Sequence, residues 1–141
     1  MCGCAGAGGA NCGWSCSASG CTDPIQIDAG TNHTCALQAS GTVVCWGNGT
    51  DGKLGNGSIT GSQSQPQIVQ DLADATQLAV GNRHACALTQ TGNILCWGDN
   101  FYNQCGSNLD TFYASATPML LPLNGVAQLV AGEHHTCARY N

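Results

Sequence analysis

Sulfur and imidazole are the side chains here that could do chemistry. The 141 residues hold 11 cysteines and four histidines, against eight acidic and three basic groups. Such a set raises three readings: metal ligation, nucleophilic catalysis and disulfide cross-linking. Spacing separates them. His33, His84 and His135 stand 51 residues apart, and so do Cys35, Cys86 and Cys137. A residue type that recurs at a fixed long period fills one slot of a repeated unit. Equivalent slots on successive units point along different radii, so the three histidines read as structural, each hydrogen-bonded within its own unit. His134 and His135 are adjacent, point to opposite faces of a strand and make no chelating pair.

The other candidates are weaker. Cys12, Cys16 and Cys21 lack the paired two-residue knuckles of a zinc site. Asn48, Asp51, Asp99 and Asn100 lack the spaced acidic ligands of a calcium loop and read as turn chemistry. Cys105 is the odd thiol: it pairs with an N-terminal cysteine, stays buried, or is free and reactive. A nucleophilic role would need a base within reach, and the sequence names none. The expectation is of no metal, no cofactor and no catalytic residue.

The elements that position these groups come from the repeat itself. Residues 30–47 read GTNHTCALQASGTVVCWG, and residues 81–98 read GNRHACALTQTGNILCWG, with nine of 18 positions identical. A third copy begins at Gly132 as GEHHTCARYN. Ile25 to Ala29 alternates as a strand does. Thr34 to Gln38 and Thr42 to Trp46 form a hairpin around Ala39-Ser40-Gly41, with glycine where a left-handed residue is needed. Counting outward pairs Leu37 with Val43, Ala36 with Val44, and Cys35 with Cys45. The same count sets Cys86 opposite Cys96. Opposed residues in a narrow antiparallel pair lie close enough for a disulfide. Buried free thiols packed as small hydrophobes are the alternative. Cys137 has no residue in the third copy to pair with by this count. Outer strands are expected at Pro66 to Val69 and Pro118 to Leu121, where an edge tolerates proline. Each unit is therefore a four-stranded antiparallel meander, and meanders repeated side by side make propeller blades.

This divides the chain into a cysteine- and glycine-rich segment, 1–24, and a repeat region, 25–141. Within it lie blade one (25–75), blade two (76–126) and the start of blade three (127–141). The N-terminal cysteines, Cys2, Cys4, Cys12, Cys16 and Cys21, are read as structural disulfides of unassigned pairing. The fold class is all-β, a partial β-propeller.

Composition excludes some functions. The formal charge is −5, so the chain lacks the basic clusters that grip nucleic acid or an anionic membrane. No apolar run is long enough to span a membrane. So many cysteines point to an oxidising compartment, hence an extracellular or cell-surface location. The start, MCGCAGAGGA, has neither the basic nor the apolar part of a signal peptide, so a mature or truncated product is expected.

The motif resembles the regulator of chromosome condensation repeat. Its matching positions are Gly30, His33, Ala36, Leu37, Gly41, Trp46, Gly47, Gly52, Leu54 and Gly55, then Gly81, His84, Ala87, Leu88, Gly92, Trp97, Gly98, Asn100, Gln104 and Gly106. Gly132 and His135 open the third copy. The resemblance implies a seven-bladed ring, of which this chain holds about two and a third repeats. It implies tryptophans packed between blades. The cysteine pairs look like a secreted, bacterial branch. Arg139 and Cys105 stand where the pattern has leucine. No exchange-factor or photoreceptor activity is implied.

The leading functional reading is a non-catalytic module that binds an unidentified protein through its loops. A propeller hydrolase with a site at the ring centre is the alternative, disfavoured because Asp28 is the one acidic group on the inner strands. A truncated structural fragment is the third. The candidate binding loop follows blade two's Trp-Gly and carries Phe101, Tyr102, Phe112 and Tyr113, half of the chain's eight aromatics. Either these rings fold back over Met119, Leu120 and Leu121, or they form a contact surface.

Overall fold

The computed structural model of the chain describes residues 16–17, 20–21, 23–106 and 113–141. A short hairpin comes first, β1 (Cys16–Ser17) pairing with β2 (Gly20–Cys21). The remaining strands fall into three antiparallel sheets. The first runs β3 (Pro24–Ala29), β4 (His33–Gln38), β5 (Val43–Asn48), β6 (Ser62–Ile68). The second runs β7 (Ala75–Val80), β8 (His84–Thr89), β9 (Ile94–Asp99), β10 (Ala114–Leu121). The third pairs β11 (Val126–Ala131) with β12 (Thr136–Tyr140).

Neighbours in sequence are neighbours in each sheet, because every connection is a hairpin or a loop on one edge. At the first tight turn the Gly41 N–H meets the Gln38 carbonyl at 2.9 Å. Gly41 has φ +87°, and Gly92 repeats it at +79°, a region that costs glycine nothing. That turn sets Leu37 opposite Val43, Ala36 opposite Val44, and Cys35 opposite Cys45. Both cysteine pairs are disulfide-bonded, with Cα atoms 4.1 Å apart. The outer strands start earlier than proline suggests, at Ser62 and Ala114. Register shifts between Gln63 and Gln67 and between Ser115 and Met119 absorb Pro66 and Pro118. A bulge there lets strand pairing pass a residue that has no N–H to donate.

Apolar residues appear at both parities in the second sheet because it packs on both faces. Cys35, Leu37, Val43 and Cys45 of the first sheet, with Leu54 and Val69 from its connections, meet Leu78, Val80, Ala85, Ala87 and Trp97 of the second. The opposite face of the second sheet, with Cys86, Leu88, Ile94 and Cys96, meets Val126 and Leu129 of the third. Every residue of β8 is buried, as expected for a strand with a sheet on either side. The disulfides thus lie in the seams between blades.

A polar device recurs in each seam. The Gln26 amide donates from Nε2 to the Leu78 carbonyl at 2.6 Å, and its Oε1 accepts from the Leu78 N–H at 2.9 Å. Gln77 treats Leu129 in the same way, at 2.9 Å in both directions. Each glutamine saturates two backbone groups on the free edge of the next blade's inner strand. In the first seam, Asp28 Oδ2 also accepts from the Val80 N–H at 2.8 Å.

Candidate protein-binding face

One end of the blades carries both the turns after the inner strands and the long loops after Trp-Gly. Pairing of His33 with Gly47, and of His84 with Gly98, brings these connections together. The residue before each repeat histidine, Asn32, Arg83 or His134, points into this loop layer. Asn32 Oδ1 accepts from the Lys53 ammonium at 3.2 Å. The Arg83 guanidinium donates from Nη2 to Asp51 Oδ2 at 2.6 Å, and its Nε lies 3.6 Å from Asp99 Oδ2. The His134 ring stacks 4.8 Å from Tyr102.

Charge and burial define the layer further. Lys53 is buried, with its ammonium 3.8 Å from Asp51. Burial pulls Lys53 below its ordinary pKa, against the charge of Asp51. For Asp51 burial acts upward, but the Arg83 hydrogen bond and charge outweigh it and hold the carboxyl below its ordinary value. Asp51 has φ +61°, a left-handed conformation unusual outside glycine, and it aims this carboxylate across the blade boundary at Arg83.

The aromatic loop is open. Phe101, Tyr102 and Tyr113 are 62, 60 and 75% exposed, so they do not fold back as a mini-core over Met119 to Leu121. Phe112 lies outside the described residues. Phe101 touches both tyrosines, edge-on to Tyr102 at 5.0 Å and tilted to Tyr113 at 5.8 Å. Hydrogen bonds hold the chain beneath them: Asp99 Oδ1 accepts from the Phe101 N–H at 3.0 Å, and Gln104 Oε1 from the Tyr102 N–H at 2.8 Å. Asp51, Arg83, Asp99, Phe101, Tyr102 and Tyr113 line one open cleft of about 360 Å³.

The repeat slots sit in the seams below. A Cβ on Gly30, Gly81 or Gly132 would strike the ring of its own blade's His33, His84 or His135, so only glycine fits there. The expected hydrogen bond within the blade is corrected by the structure. His84 Nε2 bonds the Thr136 hydroxyl at 2.9 Å, across a seam, and the His33 ring nitrogens make no hydrogen bond. The slot of Thr136 is filled by Ala85 in blade two, which has no hydroxyl to offer His33. Burial lowers both His33 and His84 to about 4, helped at His33 by the Lys53 charge. His135 is exposed. Trp97 is fully buried and donates from Nε1 to the Lys53 carbonyl of the preceding blade at 3.1 Å. Trp46 is half-buried.

Cys105 is a free buried thiol pushed up to about 12, by burial first and then by the charge of Asp99. It fills the slot of Leu54 as a small hydrophobe and is unreactive as a thiolate at neutral pH. Cys137 is free and exposed. The pairing of the N-terminal cysteines lies outside the described residues. Among the described residues no three His, Cys, Asp or Glu side chains converge as a metal site, and no helix is long and apolar enough to cross a membrane. Sequence reasoning missed Lys53, Arg83 and the glutamine clamp. The clamp had a signal, since Gln26, Gln77 and Gln128 share the 51-residue spacing.

Sheets of this kind, packed face to face with loops gathered at one end, define a partial β-propeller. The chain belongs to the regulator of chromosome condensation (RCC1) repeat family, whose repeat matches residues 25–53 and 75–104 and, in a shifted frame, 40–88 and 91–139. Human HERC4, a probable E3 ubiquitin-protein ligase, is 32% identical over 117 residues, 81% of this chain and 11% of that protein. The Schizosaccharomyces pombe protein pim1 is 33% identical over 121 residues, 80% of this chain and 22% of that one. Among these relatives the chain spans between 2% and 22% of the partner's length. Yeast RCC1 (Prp20), solved bound to Kap60, superposes with a TM-score of 0.72 at 28% identity, covering 83% of this chain and 27% of that one. Human WBSCR16, at 22% identity and TM-score 0.75, covers 83% of this chain and 30% of its own, and shares the fold.

Proposed function

We propose that this chain is the non-catalytic binding part of a secreted or surface-exposed protein, and that it meets another protein through the loop face of blade two. The observation that carries this reading is the group of three exposed, touching rings on a hydrogen-bonded loop. A small domain gains nothing in solution from exposing them, whereas Tyr and Phe provide large contact area at low entropic cost. Rigid scaffolds with functional loops are the usual form of such a module. RCC1-repeat proteins act in protein interaction, and the structural relative Prp20 is bound to Kap60. The two disulfides support an oxidising compartment. Within a longer protein, further blades would complete a seven-bladed ring; a bacterial source fits the cysteine-rich pattern.

The test places a photo-reactive residue at Tyr113 and, as a control, at Leu120 on the outer strand, which is 60% exposed. A discrete adduct should form from Tyr113 and not from Leu120. It should vanish when Phe101→Ala and Tyr102→Ala are added to the chain that carries the photo-reactive residue at 113, without a change in melting temperature. Equal adducts from both positions, or full retention of the Tyr113 adduct in the Phe101→Ala/Tyr102→Ala background, would overturn the reading.

A further inference from the structure

We propose that the partner group received by the cleft between blades one and two is a basic side chain, presented by a cationic segment of that protein. This rests on the loop-face reading above and assigns its chemistry.

The charges around the cleft decide the sign. Asp51, Asp99 and Glu133 stand on this face against Lys53 and Arg83. Both basic groups are turned toward one acid: Arg83 is 2.6 Å and Lys53 3.8 Å from the Asp51 carboxylate. Asp99 receives a backbone N–H and a longer, 3.6 Å approach from Arg83, so its carboxylate keeps capacity for another cation. An anion entering the same cleft would meet the two carboxylates, Asp51 and Asp99, that already face Arg83. A lysine or arginine displaces nothing. The walls favour the same sign, because the exposed rings of Tyr102 and Tyr113 line the cleft, and an aromatic ring attracts a cation within roughly 6 Å of its centre. Glu133, 72% exposed in its side chain, lies on the next unit's turn beside His134, which stacks on Tyr102. At longer range the formal charge of −5 steers basic partners toward the chain.

The probe is a short acetylated glycine peptide carrying two lysines, compared with its glutamate counterpart. The reporter is 3-fluorotyrosine in the full chain, whose three tyrosines are Tyr102, Tyr113 and Tyr140. The lysine peptide should move the signals of Tyr102 and Tyr113 and leave Tyr140 in place. Binding should weaken several-fold between about 0.02 and 0.3 M salt, as the Debye length shortens. Asp99→Asn should weaken it about tenfold, the low end for a hydrogen bond between charged groups. Since Asp99 also holds the Phe101 N–H, Tyr113→Ala is the second variant and should weaken binding several-fold with the fold intact. Asp51→Asn should turn the preference toward the glutamate peptide, because it frees Arg83 and Lys53. Tyrosine shifts produced by the glutamate peptide in the unmodified chain, or no shift with lysine up to about 10 mM, would overturn the assignment. If the Tyr113 crosslink still traps a partner in that case, the loop face stands and its charge preference falls. If the crosslink fails too, both readings fall.

Discussion

His33 and His84 carry the clearest residue-scale consequence. Each is buried against a glycine in a seam and titrates near 4, below the unfolded value of 6.5. Between these values the unfolded chain binds more protons than the folded one. Stability therefore rises with pH through that window and is complete above about 6.5. As pH falls from about 6.5 toward 4, the loss should reach a few kcal/mol for the pair, read as a falling urea midpoint. The part between about pH 5 and 6.5 lies above the ordinary carboxylate range and isolates the histidines. His33→Gln should roughly halve the slope there; an unchanged slope would mean that His33 is accessible to protons when folded. Thr136→Val tests the other half of the argument. It strands the buried His84 Nε2 and should cost about 1–3 kcal/mol in thermal or chemical denaturation.

Among elements, the hairpin and the seam do different work. The Cys86–Cys96 bridge closes a hairpin over a separation of 10 residues and constrains the unfolded chain. Its Cys86→Ala/Cys96→Ala variant should lose about 2–3 kcal/mol on the chain-entropy account, with the sheet retained by circular dichroism. Gln77→Ala leaves the N–H and carbonyl of Leu129 unserved and should cost about 1–3 kcal/mol. Gln26→Ala should cost less, because Asp28 still ties the first seam through the Val80 N–H. Equal losses at the two glutamines would show that Asp28 adds nothing.

These two kinds of contact also differ in how legible they are. Hairpin register follows from loop length and side-chain alternation, so the facing cysteines could be counted out from Gly41. Seam contacts join residues 52 apart, and their partners are backbone groups with no side-chain signature. Recurrence of Gln26, Gln77 and Gln128 marks the slot without naming what it touches. The candidate site divides in the same way. The rings of the second loop stood out by composition. Asp51 meeting Arg83 did not, because a left-handed aspartate and the closeness of two blades decide it. The histidine bond was misplaced for a related reason: its partner lies on the next unit, where the slot alternates between a hydroxyl and a methyl.

For the whole molecule, each blade is held by its neighbours more than by itself. The hydrophobic clusters lie between sheets, and blade two alone is covered on both sides among the described units. Stability in such an array is close to a sum of unit and seam contributions. Removing residues 127–141 should bare Leu88, Ile94 and the Cys86–Cys96 face, lowering the melting temperature and raising binding of an apolar dye. An unaltered melt would place the stabilising contacts within single sheets.

The glutamine clamp has a consequence for how such a chain grows. Blade two takes a clamp on Leu78 and applies the same clamp through Gln77, so its two sides fit one another. It is a brick with matching stud and socket. A tandem copy of residues 76–126, inserted after the first, would find its joints already made at both ends. Such a chain should fold with one more complete sheet and a fifth and sixth cysteine in hairpin bridges, verifiable by peptide mapping. A gene in this state can lengthen by unequal copying alone, and each new blade arrives with spare loops, free to diverge while the joint is kept.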